Sequence, residues 1–89
     1  MNDESCVRIV IQPHARERME EKGATEDEIR KVVREGQLSP ARYGRQKHRL
    51  TFSFERFRWS KFYRSKQLEV YSFDEGDTLV VVTVIVRYF

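Results

Sequence analysis

The chain has 89 residues, which is room for one domain with a modest core and excludes a second core or a large internal cavity. Charged residues make up 35% and apolar residues 39%, against roughly 25% charged in average proteins, so a folded domain with a heavily charged skin is expected. Cys6 is the only cysteine, which excludes an intrachain disulfide and a cysteine-based zinc cluster.

In chain order, Met1 to Ser5 carries Asp3 and Glu4 and leads into no apolar stretch of signal-peptide length, so it reads as a flexible lead and the expected location is cytoplasmic. Cys6 to Ile11 is a short β-branched run that predicts a strand, with Cys6 as a small residue at its start. Pro13 then falls where a helix tolerates proline, in its first turn. Ala15 and Met19 share one face and Gly23 follows as a C-cap, predicting a short helix over His14 to Lys22. Thr25 with Glu28 three residues later is a capping box, and Ile29, Val32 and Val33 supply an apolar stripe before Gly36 ends the segment.

Gln37 to Gly44, with Pro40, reads as a surface connection. Leu50, Phe52 and Phe54 alternate with polar residues as in a strand with one buried face. Phe57 and Trp59 fall on the opposite parity, which implies a bulge or turn near Glu55 and Arg56 and leaves residues 57 to 64 as either a twisted strand or a long loop. Gln67 to Phe73 and Thr78 to Arg87 flank Asp74-Glu75-Gly76-Asp77, a hairpin turn. The run Leu79 to Val86, interrupted only by Thr83, is far below the roughly 20 residues that span a bilayer and predicts a central strand buried on both faces. The expected fold is one α+β domain over residues 1–89: a short N-terminal strand, a helical hairpin, then an antiparallel β-sheet of three or more strands.

The net charge of +3 conceals three unequal parts: −2 over residues 1–41, +8 over 42–66 and −3 over 67–89. The basic part interleaves nine cations with Tyr43, Phe52, Phe54, Phe57, Trp59, Phe62 and Tyr63. Cations neutralise phosphates and aromatic faces stack on unpaired bases, so the mixture favours single-stranded or looped RNA over duplex DNA. The alternative is that the aromatics pack inward while the cations on alternate positions are merely solvated.

The run Pro13-His14-Ala15-Arg16-Glu17-Arg18-Met19-Glu20-Glu21-Lys22-Gly23, then Thr25-Glu26-Asp27-Glu28-Ile29, together with Thr83-Val84, resembles an uncharacterised small bacterial and archaeal family. In that family a helix opens with His-Ala and continues to Arg-Met, and the last strand carries a Thr-Val pair. Two helices followed by an antiparallel sheet also resemble the RelE/ParE toxin superfamily, whose members cleave messenger RNA on the ribosome or inhibit gyrase. The resemblance implies a toxin-like domain with RNA or the ribosome as target and a separate protein antitoxin, although fold likeness alone does not transfer activity. RelE-type toxins also place functional Arg and Tyr late in the chain, as Arg87 and Tyr88 stand here, but alternation sends those two to opposite faces.

Metal-independent RNA cleavage needs a base, an acid and a cation at the phosphate. His14 and Arg18, i and i+4 on one helix face, are the candidate catalytic pair. His48 reads as strand surface. Arg45, Lys47, Arg49, Arg58, Trp59, Lys61 and Arg64 are the candidate nucleic-acid contacts. No metal site and no cofactor is expected, because two histidines lack ligand spacing and glycine-rich phosphate loops are absent. Two readings follow: a RelE-like RNA-cleaving domain, or a non-catalytic module binding RNA or an acidic protein through the basic aromatic segment. A homodimer is compatible with either.

Overall fold

Gln12 is extended and Pro13 takes the first helical position, so the chain passes from strand to helix in a single step. The computed structural model describes residues 8–89; the expectations for Met1 to Ser5 and for Cys6 lie outside the described residues. β1 (Arg8–Ile11) leads to α1 (Pro13–Lys22) and α2 (Glu26–Glu35), then to β2 (Gln37–Pro40), β3 (Gln46–Arg58), β4 (Lys61–Glu75) and β5 (Thr78–Tyr88). Gly23, at φ +84, turns α1 toward α2, and its N–H and that of Ala24 both bond Met19 O. Thr25 Oγ1 accepts from Glu28 N at 3.2 Å while Glu28 Oε1 accepts from Thr25 N at 3.0 Å, the capping box expected from the sequence.

The sheet order is β1-β5-β4-β3-β2, and the α+β class holds. The sheet is mixed, however, where an antiparallel one was expected. β2 to β5 form an antiparallel meander, but β1 pairs parallel with β5, Arg8 opposite Thr78 and Ile11 opposite Val81. Local hairpin signals specify the meander, whereas the partner of β1 is set by where the helices carry the chain. α1 lies over β5 and α2 over β3 and β4, so the helical pair traverses the sheet and delivers β2 to the opposite edge.

Ala15, Met19, Ile29 and Val32 from the helices meet Leu68, Val70, Val81 and Val84 from the sheet in one core, with Leu50, Phe52 and Val86 at its margin. Two further expectations are corrected. Gln37 to Pro40 is an edge strand paired with Arg49 to Gln46, and the edge is where a sheet tolerates Pro40. β5 is buried on both faces only over Leu79 to Val81, because β1 is four residues long; beyond it the strand alternates between buried Val84 and exposed Ile85. Of the two alternatives for residues 57 to 64, it is strand, with a turn at Trp59 and Ser60, that forms.

His48 is buried, not surface: it shares the parity of Leu50 and Phe52, faces the helices, and its Nε2 lies 3.0 Å from Ser72 Oγ. Burial holds its imidazole below the ordinary 6.5, against a smaller opposing pull from Asp74. Between the folded and unfolded values the unfolded chain binds more protons, so stability rises with pH there. The contribution is therefore full above 6.5 and is lost as the pH falls from that point through the lower folded value. Urea midpoints are expected to hold level from pH 8 to about 7 and then to decline on acidification, and His48→Gln is expected to flatten that decline. An unchanged acid limb in the variant would assign it to carboxylates instead.

Candidate nucleic-acid interface

β3 and β4 run on beyond the rest of the sheet as a two-stranded arm. Their register shifts between Ser53 and Arg56, with Glu55 at φ +49. On the other strand the N–H groups of Arg64 and Ser65 both reach Phe89 O, at 2.8 and 3.4 Å. The extra residue of the bulge between Ser53 and Arg56 is on β3, and a bulge increases the local twist. The arm closes through Trp59 and Ser60, at φ +53 and +66, a two-residue turn of the kind that normally takes Asn-Gly. Left-handed backbone at a residue with a side chain costs on the order of 1 kcal/mol or more, and here it holds up an indole that is 65% exposed.

One side of the arm folds down onto the C-terminus of α1. Helix ends leave carbonyls without intrahelical partners, and they carry the negative end of the dipole. Three donors from the sheet meet them: Arg58 Nη2 donates to Glu21 O at 3.3 Å, Tyr88 Oη to Lys22 O at 2.5 Å, and Lys66 Nζ to Gly23 O at 2.6 Å. Lys66, one of the nine cations of the basic segment, is buried and also bonds both carboxylate oxygens of Glu28, at 2.8 and 3.0 Å. Tyr88 is the hub of a ring cluster, with Phe54, Trp59 and Tyr63 centroids 5.2 to 6.0 Å away and the Arg58 guanidinium over both Tyr88 and Trp59. Burial raises the Tyr88 phenol above its ordinary 10.0, with Arg58 opposing and Glu28 adding to the rise.

The opposite side of the arm is open. Because Arg58 and Tyr63 turn toward the helices, alternation sends the cross-strand pair Phe57 and Phe62 the other way. Their rings meet edge to face at 5.4 Å, yet they remain 72% and 47% exposed. Arg64 stands exposed beside them, whereas the exposed Arg56 and Lys61, paired with Tyr63 and Arg58, leave the arm on the other side, Arg56 over Phe54 and Lys61 over Tyr63. Among the described residues, none of the eight remaining cations of the segment forms an ion pair. That leaves a strong local positive field beside bare aromatic rings.

The helix-free face of the sheet continues from the arm. It carries Ser53 beside Ser65, Thr51 bonded to Gln67 at 3.1 Å, and Arg49 bonded to Gln37 at 3.3 Å. Glu69 is buried there and paired with Arg87 at 3.0 Å. Arg87 and Tyr88 thus leave β5 on opposite faces, as alternation requires.

His14 is exposed in the first turn of α1, and Arg18, also exposed, lies 3.6 Å from Glu21. Arg18 shares a shallow groove with Lys22 and Thr83 to Val86, while Arg45 and Lys47 line a different one. The arm docks at the other end of α1 from His14, about 12 Å along the axis at 1.5 Å per residue. The helix pair and the basic segment therefore do not converge on one concavity. Arg58 is engaged in capping α1, whereas Lys61, Arg64 and most of the Trp59 indole remain free at the arm's end. Sequence reasoning named Phe57 and Phe62 among the stacking aromatics but missed that they pair across the strands, and it missed the Tyr88 hub; the opposite parity of Phe57 was the available signal for the first. Among the described residues no three His, Cys, Asp or Glu side chains gather as metal ligands would, and no helix is long and apolar enough to cross a membrane. Comparison with protein-family models, curated proteins and solved structures returns no match.

Proposed function

We propose that this domain binds single-stranded RNA in the cytoplasm without cutting it, through the end of the β3–β4 arm. The observation that carries the reading is the exposed Phe57–Phe62 pair with unpaired Arg64 on the open side of the arm, and exposed Trp59 with unpaired Arg56 and Lys61 around the rest of its end. Rings offer stacking surfaces to unpaired bases of any identity, and cations displace counterions from phosphates. The ribonuclease alternative lacks this support, since a base at His14 lies at the opposite end of α1 from the cations and rings of the arm.

The test is incubation of the protein with mixed-sequence single-stranded RNA in EDTA at low and high salt, scoring binding and cleavage separately. Binding without cleavage is expected, and Phe57→Ala is expected to weaken it by roughly 5- to 100-fold, the worth of about 1–3 kcal/mol per stacked base. Lys61→Gln with Arg64→Gln is expected to lower the salt slope by about 1.4, at about 0.7 per phosphate contact on a single strand. Cleavage abolished by His14→Ala would return the domain to the ribonuclease class. An absence of binding at low salt would sink the RNA reading altogether.

A further inference from the structure

The turn between β2 and β3 repeats the chemistry of the arm's end. Arg42-Tyr43-Gly44-Arg45 closes with Arg45 N–H donating to Arg42 O at 3.2 Å, and Tyr43 and Gly44 both have positive φ, +61 and +71. Arg58-Trp59-Ser60-Lys61 has the same order: a cation, an aromatic in left-handed backbone, a small residue, a cation. Tyr43 is 83% exposed, the most exposed of the large hydrophobic side chains. It borders an open concavity of about 360 Å³ lined also by Arg42, Arg45, Lys47 and Tyr71. Lys47 and Tyr71 are a cross-strand pair with the parity of Arg49 and Glu69, so this concavity opens onto the helix-free face.

We infer that one RNA strand runs along the helix-free face, held at the arm by Phe57 and Phe62 and gripped a second time at Tyr43 and Tyr71; this rests on the RNA reading of the arm. The two grips stand at opposite ends of β3, about 36 Å apart at ~3.3 Å per residue. That distance corresponds to about ten nucleotides at the ~3.4 Å spacing of a stacked strand, within the ~4–16 nucleotides of single-strand sites. Between the ends Arg49 and Lys47 are free of ion pairs and Arg87 neutralises Glu69, which leaves exposed Glu55 at the bulge as the one unpaired carboxylate of β3. The Ser53, Ser65, Thr51 and Gln67 side chains between them offer donors and acceptors for 2′-hydroxyls, which selects RNA over single-stranded DNA.

The experiment compares labelled single-stranded RNAs of 4 and 12 nucleotides, and DNA of the 12-mer sequence, on the full chain and on Tyr43→Ala/Arg45→Gln. Both altered residues are at the surface turn, and an unchanged urea midpoint would certify the fold of the variant. The expected result is that the RNA 12-mer binds the full chain tenfold or more tighter than the 4-mer, and that the variant loses this advantage while its 4-mer affinity stays the same. Backbone amides of Arg49, Thr51 and Gln67 are expected to shift in NMR spectra with the 12-mer and not with the 4-mer. Equal affinity for both lengths, or a 12-mer insensitive to the variant, would overturn the second grip while leaving the arm as an RNA contact. DNA bound as tightly as RNA would overturn the 2′-hydroxyl track, and no binding at either length would remove the underlying reading along with the inference.

Discussion

Lys66→Met is expected to destabilise the domain by about 3 kcal/mol, the lower end of the 3–5 kcal/mol for breaking a buried ion pair. All three ammonium protons are used, on Gly23 O and both oxygens of Glu28, at 2.6 to 3.0 Å. A methionine fills much of the same space but leaves the Glu28 carboxylate facing an apolar wall and strands the Gly23 carbonyl. The lower figure is chosen because the Glu28 side chain is 24% exposed and keeps Thr25 N–H as a partner. With total stabilities of about 5–15 kcal/mol for such domains, this is a large fraction, and at ~4–8 °C per kcal/mol the Tm should fall by roughly 15 °C. Adding Glu28→Gln is expected to recover part of the loss, since no uncompensated charge then remains. A Tm drop of a few degrees, or a double variant worse than additive, would show that the pair does not hold the helical hairpin to the sheet.

The second large effect is expected at Gly36. A β-carbon there would lie 2.5 Å from Val32 O and 2.8 Å from Arg49 O, both backbone atoms of packed elements. Its φ of −74° is open to any residue, so the requirement is for space alone. Gly36→Ala must push the last turn of α2 away from β3, at a cost of about 3 kcal/mol, the upper part of the range for overpacking. Gly44→Ala is the comparison: its added carbon meets nothing within 4 Å but sits at φ +71, so it incurs only the left-handed backbone cost of about 1–2 kcal/mol. Thermal denaturation of the two variants side by side separates the effects. If Gly36→Ala were no worse than Gly44→Ala, α2 and β3 would not be in the close contact described.

Sequence reading was most successful where a signal acts over a few residues. Thr25 and Glu28, Gly23 and the Asp74 to Asp77 turn are self-contained chemistry, and each appears where the spacing predicts. Gly36 was legible as a helix end but for a different reason, since its role depends on β3 passing close by. The parallel partner of β1 was not legible, because nothing in a four-residue strand with three β-branched residues says which edge it will meet. His48 and Lys66 were misread from charge although parity was available: each alternates with residues of the core, His48 with Leu50 and Phe52, Lys66 with Leu68 and Val70. For the candidate site, the sum of the cations was readable and their division was not. Which of them cap α1 and which stay free depends on how the arm past the β3 bulge lies against α1, and only the bulge left a trace in the pattern.

The pairing of β1 with β5 also governs how the chain acquires its structure as it is made. Arg8 to Ile11 have no strand to join until Thr78 to Val81 exist, seventy residues later, which at ~5–20 residues per second is roughly 4–14 s of synthesis. α1 waits as well, since Ala15 and Met19 rest against β5. During that interval β2, β3 and β4 can pair in order of emergence, hairpin by hairpin, while β1 and α1 remain without the strand they rest on. β1 and α1 are therefore made well before the strand they dock on, and they are the segments a chaperone would meet.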